Sequence, residues 1–94
     1  MRNLHLHFIQ LGEALSALRG TFELASNGKR DADDFDEFLE ANEFELALHT
    51  LCDFVRENEN IPVTGELLER IDELHKMMEI DDDCATWLRA RLPQ

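Results

Sequence analysis

Proline and glycine are scarce: two prolines, Pro62 and Pro93, and four glycines in 94 residues. Strand-like alternation is nearly absent too, which excludes a turn-rich β architecture. No apolar run approaches the length of a membrane span. His5, His7, Gln10 and Glu13 interrupt the apolar N-terminal stretch, so a signal peptide is not expected. Cysteine is limited to Cys52 and Cys84, with no CxxC pair. Both are expected to be free thiols in a reducing cytoplasm. Basic residues are the last shortage: nine lysines and arginines stand against 21 aspartates and glutamates, a formal net charge of -12. That balance argues against direct binding of DNA or RNA, which needs a basic footprint. It argues equally against an anionic membrane surface. It favours a basic protein partner, drawn in by electrostatic steering.

What the chain does have is helical spacing. Its length suits one domain with a small core. A first helix is expected from about Asn3 to Arg19, with Leu4, Phe8, Leu11, Leu15 and Leu18 as its buried stripe. Asn3 would cap its start and Gly20 would take the position after its end. Ala25 to Arg30 reads as a polar link with a turn at Asn27-Gly28. The stretch DADDFDEFLE, residues 31–40, reads as a second helix capped by Asp31 or Asp33, with Phe35, Phe38 and Leu39 inward. Asn42, with Glu45 three residues on, would cap a third helix. There Phe44, Ala47, Leu48, Leu51, Cys52 and Val55 keep the cleanest period in the chain. Ile61-Pro62-Val63 is an extended connector, because a residue before proline avoids the helical region. Thr64 then caps a fourth helix that buries Leu67, Leu68, Ile71, Leu74 and Met78. A short fifth helix is expected from about Asp83 to Leu92, carrying Trp87 and Leu88. The expected fold is all-α, a bundle of about five short helices forming one domain over residues 1–94.

Catalytic and metal sites find little support. Read as a calcium loop from Asp31, the sequence places Phe35, Asp36 and Asn42 where an oxygen ligand, a glycine and a glutamate are needed. His5 and His7 are two residues apart and point to different sides of a helix. His49 and Cys52 share a face, but Cys52 falls within the apolar stripe, where a thiol is usually inert. Paired carboxylates are abundant, yet they lie on faces opposite the apolar stripes rather than in a cleft. No enzyme, cofactor or metal is expected.

The acidic surface remains. Asp33, Asp34, Asp36, Glu37, Glu40 and Glu43 could serve only to solvate a helix. However, no basic residue occurs between Asp31 and Glu45. A helix tuned for stability alone would usually interleave lysine or arginine four residues on. This stretch is therefore a candidate surface for a cationic partner, with Asp53 and Glu57 as second-rank candidates.

Residues 42–80 carry three linked motifs: E-F-x-L-A-L-x-x-L-C-D from Glu43 to Asp53, I-P-V-T from Ile61 to Thr64, and L-x-x-I-x-x-L from Leu68 to Leu74. In these the chain resembles the MafI-type immunity proteins of bacterial polymorphic-toxin and contact-dependent growth inhibition systems. The resemblance implies a cytoplasmic antidote. It would bind the C-terminal nuclease domain of a cognate toxin one to one, often an EndoU-like RNase, and block it. It implies no contact with nucleic acid or membrane and does not itself assign contact residues. A different class of function fits the same charge: an acidic helical adaptor or secretion chaperone for a basic client. Genomic position directly downstream of a large toxin gene would favour the first.

Overall fold

The third helical pattern organises the molecule. Phe44, Ala47, Leu48, Leu51, Cys52 and Val55 are all buried on the helix Phe44–Glu57, and Phe54 widens the same face. A computed structural model describes residues 4–80 and 83–92, with side chains from Leu6 onward. Asn3 as a cap, Leu4 as a core residue and the imidazole of His5 lie outside the described residues. In chain order the elements are α1 (Leu4–Ser16), a 3₁₀ helix (Arg19–Leu24), α2 (Lys29–Glu40), α3 (Phe44–Glu57), α4 (Gly65–Met78) and α5 (Cys84–Arg89). Among the described residues there is no strand, and the fold is a small all-α bundle. The other elements gather on α3: α1, the 3₁₀ helix, α2 and α5 all pack on it. α4 closes the bundle against α1 and α5.

Local chemistry explains most boundaries. Thr64 caps α4 as its sequence position predicts, its Oγ1 accepting from the Leu67 N–H at 3.1 Å. The connector before it has no regular structure, bends at Ile61 and alternates in burial, with Ile61 and Val63 buried and Pro62 exposed. α1 ends at Ser16, earlier than the expected Arg19, and the chain tightens into the 3₁₀ helix. Gly20 lies inside that helix and has no positive φ, so it is not the C-terminal cap. The 3₁₀ helix delivers Phe22 to the core, with ring centroids 5.2 Å from Phe35 and 5.0 Å from Phe54.

Two expected caps are corrected. α2 begins at Lys29, so neither Asp31 nor Asp33 caps it; Gly28 holds the N-cap position with no side-chain cap bond. Asp31 still sits in the first turn, where the helix dipole favours a carboxylate. Asn42 does not cap α3. Its φ is 57°, its N–H donates to Leu39 O at 3.1 Å, and the Glu43 N–H donates to Phe38 O at 2.8 Å. That pair of bonds is a Schellman closure of α2 with Asn42 in the left-handed position. Asparagine tolerates this conformation better than other non-glycine residues.

The cysteines are a third correction. Cys52 and Cys84 are not free thiols: they form a disulfide with Cα atoms 5.9 Å apart, joining α3 to α5. Both are buried. The bond removes the argument for a reducing compartment that rested on unpaired cysteine. It also removes Cys52 as a partner for His49 in nucleophilic chemistry.

Candidate docking surface

The candidate carboxylates are positioned by α2 and the corner that follows it. Ala32 and Phe35 bury the inner side of α2, while Phe38 and Leu39 are half-buried along its flanks. Helical phase then turns Asp33, Glu37 and Glu40, at i, i+4 and i+7, onto one exposed face. Asp34 is exposed beside them, and Glu43 is exposed at the corner before α3. Asp53 and Glu57 are also exposed, but they form a separate pair four apart on α3.

These residues are not equivalent. Asp36 is only half-exposed and is already occupied. Arg19 donates from Nε to Oδ1 at 2.9 Å and from Nη2 to Oδ2 at 2.9 Å. This hydrogen bonding holds the Asp36 carboxyl below its ordinary pKa, with partial burial opposing it. Asp33 pairs with Lys29 one turn earlier at 3.3 Å. That exposed lysine neutralises it only loosely. Among the described residues no cation pairs with Asp34, Glu37, Glu40 or Glu43. These four form the uncompensated part of the surface, while Asp36 serves to tie the 3₁₀ helix to α2. Sequence reading could not find Arg19, because it lies 17 residues from Asp36 across a turn of irregular period.

A second feature was also missed. Phe8 was expected in the buried stripe of α1, but it is 40% exposed, and Leu6, Ile9 and Leu46 are exposed as well. Of that stripe's described residues, Leu11, Leu15 and Leu18 are buried. The signal was present in the sequence: Leu6 and Ile9 make the start of α1 apolar on more than one side. On the opposite pole Trp87 of α5 is half-exposed, with the Arg56 guanidinium 4.3 Å above its ring.

Among the described residues no group of three or more histidine, cysteine, aspartate or glutamate side chains is placed to hold a metal ion. No helix among them is long and apolar enough to cross a membrane. The arrangement defines a small helical domain with one uncompensated acidic face and an apolar flank. Compared with protein-family models, curated proteins and solved structures, the chain matches none.

Proposed function

We propose that this chain is an immunity protein of the MafI type, a one-to-one inhibitor of a cognate toxin's nuclease domain. The observation that carries the reading is the row Asp34, Glu37 and Glu40 on α2, a helix anchored by Phe35, continued by Glu43 at the corner before α3; all four are exposed and none pairs with a cation among the described residues. An RNase has to attract phosphate, so its cleft is basic. Carboxylates fixed on a packed helix would reach lysine, arginine or histidine there at little ordering cost. Filling the cleft excludes RNA by charge and by volume, and the inhibitor performs no chemistry. The resemblance in residues 42–80 favours an EndoU-like or other RNase as the target. Cytoplasmic residence belongs to the same proposal, because the antidote must meet a toxin that acts there. The Cys52–Cys84 bond does not favour that compartment, since disulfides are rare in a reducing cytoplasm; cytoplasmic residence rests on the resemblance.

Co-expression with the toxin domain encoded directly upstream tests the proposal. The expected result is restored growth and a co-purifying one-to-one complex. Loss of both, with a folded inhibitor and an active toxin, would overturn it. Charge steering has its own test. Glu37→Gln with Glu40→Gln should slow association about tenfold at low salt and flatten its salt dependence. Unchanged association at low salt would remove those carboxylates from the interface.

The apolar flank favours a second reading, an adaptor or secretion chaperone for a basic client. Such proteins often dimerise through apolar patches. A strictly monomeric free protein in sedimentation would oppose it.

A further inference from the structure

The exposed apolar residues of α1 do not lie scattered. Phe8 of α1 meets Phe44 of α3 with ring centroids 5.6 Å apart. This pair forms a ridge between two hollows. The larger, about 440 Å³, lies between α1, the start of α3 and the end of α4; Leu11, Leu46, Met78 and Ile80 help to line it. The smaller, about 200 Å³, lies on the other side of the ridge, floored by Gly12 and Leu39. Among the described residues no lysine or arginine lines either hollow. Glu43 and Glu45 line the larger one, so its apolar floor has a carboxylate edge. Glu43 is also the last residue of the uncompensated acidic row. The charged face therefore runs directly into the groove.

We infer that this groove seats the apolar anchor of the cationic partner: a segment of another protein with a bulky aliphatic or aromatic side chain flanked by lysine or arginine. The identity of the partner as cationic rests on the function proposed above; the place of the anchor rests on the groove. An acidic row alone steers but holds weakly, because exposed ion pairs contribute little. Affinity requires a desolvated apolar centre with charge around it. The Phe8–Phe44 ridge supplies the centre, and Glu43 and Glu45 supply the charge. The exposed Trp87 is the rival anchor, but the Arg56 guanidinium already covers its ring, so a cationic segment would have to displace a like charge to reach it. A second copy of this chain is the rival occupant. A two-fold contact through the groove would bring both acidic rims together, which disfavours it.

The test uses the intact protein and three synthetic helical peptides, with binding mapped by amide chemical shifts. The first peptide carries leucines at i, i+4 and i+7 among lysines. The second replaces those leucines with serine at the same charge. The third replaces the lysines with glutamate. The first should bind and perturb Phe8, Phe44, Leu46 and Ile80. The second and third should bind at least tenfold more weakly. Leu46→Ser, at a surface position that leaves the core intact, should weaken the first peptide at least tenfold while the circular dichroism stays unchanged. Equal binding of the serine peptide, shifts centred on Trp87, or no binding at all would each overturn the assignment. So would a wild-type dimer that Leu46→Ser dissolves, which would give the groove to a second copy. The two proposals fail separately. A Leu46→Ser inhibitor that binds its toxin as tightly as wild type removes the groove and leaves immunity standing. A wild-type protein that never protects removes immunity and leaves the peptide result.

Discussion

Arg19 grips Asp36 through two parallel hydrogen bonds, Nε to Oδ1 and Nη2 to Oδ2, each 2.9 Å, and so pins the 3₁₀ helix to α2. The hydrogen bonds from Arg19 lower the folded-state pKa of Asp36 below its ordinary 3.8. The sign follows from linkage. The pair's contribution is fully present above the unfolded pKa and is lost as pH falls through the lower folded value. The pair is nearly half exposed, so solvent screening keeps the effect small. Asp36→Asn should lower Tm by less than about 5 °C near neutral pH. The gap between variant and wild type should close as the solution is acidified below 3.8. A gap that survives at about pH 2 would mean that the carboxylate's charge is not its source.

Gly28 is required by space rather than by conformation. A Cβ there would lie 1.9 Å from the Phe22 carbonyl oxygen and 3.1 Å from Cζ of Phe54. The first contact is with backbone, which cannot swing aside. Gly28→Ala must push the 3₁₀ helix off the aromatic cluster of Phe22, Phe35 and Phe54. Overpacking of this kind costs about 1–3 kcal/mol, and more where backbone has to move. Urea unfolding of the variant should show that loss. An unchanged midpoint would mean that the 3₁₀ helix is free to shift.

Which parts of this molecule were legible in the sequence depended on the range of the interaction. The α3 stripe, the Thr64 cap and the alternating connector at Pro62 are set by neighbours within a few residues, and their periods show it. Asn42 was ambiguous for a physical reason. Asparagine suits both a helix start and a left-handed helix end, and only the backbone bonds to Phe38 and Leu39 decide between them. Phe22 sits in a 3₁₀ segment with no helical stripe to announce it. For the candidate surface, exposure of the α2 carboxylates followed from their phase opposite Phe35. Their division into paired and unpaired did not, because Arg19 reaches Asp36 through the fold. The groove beside Phe8 was hidden for the same reason. It needs α1, the α2–α3 corner and the end of α4 together.

Arg91 holds the far end of α3. Its Nη2 donates to the carbonyls of Asn58 at 3.2 Å, Glu59 at 2.9 Å and Ile61 at 2.7 Å, and its Nη1 donates to Val55. A guanidinium thus supplies donors to carbonyls at the helix end and in the following turn, where the helix dipole also favours a cation; the Asn58 carbonyl accepts from the Ile61 N–H as well, at 3.0 Å. Arg91→Ala should destabilise by about 2–3 kcal/mol, as expected when hydrogen bonds to a charged group are lost. Arg91→Lys should recover less than half of that loss, because an ammonium lacks the planar fork. Thermal unfolding of both variants decides it. Full recovery by lysine would show that charge alone matters.

The Cys52–Cys84 bond closes a loop spanning 32 residues, which contains α4 and its connector. Closing a loop of that length restricts the unfolded chain and stabilises the fold by about 3–4 kcal/mol on the chain-entropy account. The oxidised protein should show no titratable thiol after denaturation. A reductant, or Cys84→Ser, should lower the urea midpoint by the corresponding amount. The double variant Cys52→Ser with Cys84→Ser should be insensitive to reductant. The loss should reach α5 first, because that helix is only six residues long and packs mainly on α3 and α4. Hydrogen exchange in the reduced protein should therefore rise at Ala85 to Leu88 while the amides of α2 stay protected. Uniform loss of protection across α2 and α5 together would mean that the bond stabilises the whole bundle cooperatively rather than docking its last helix.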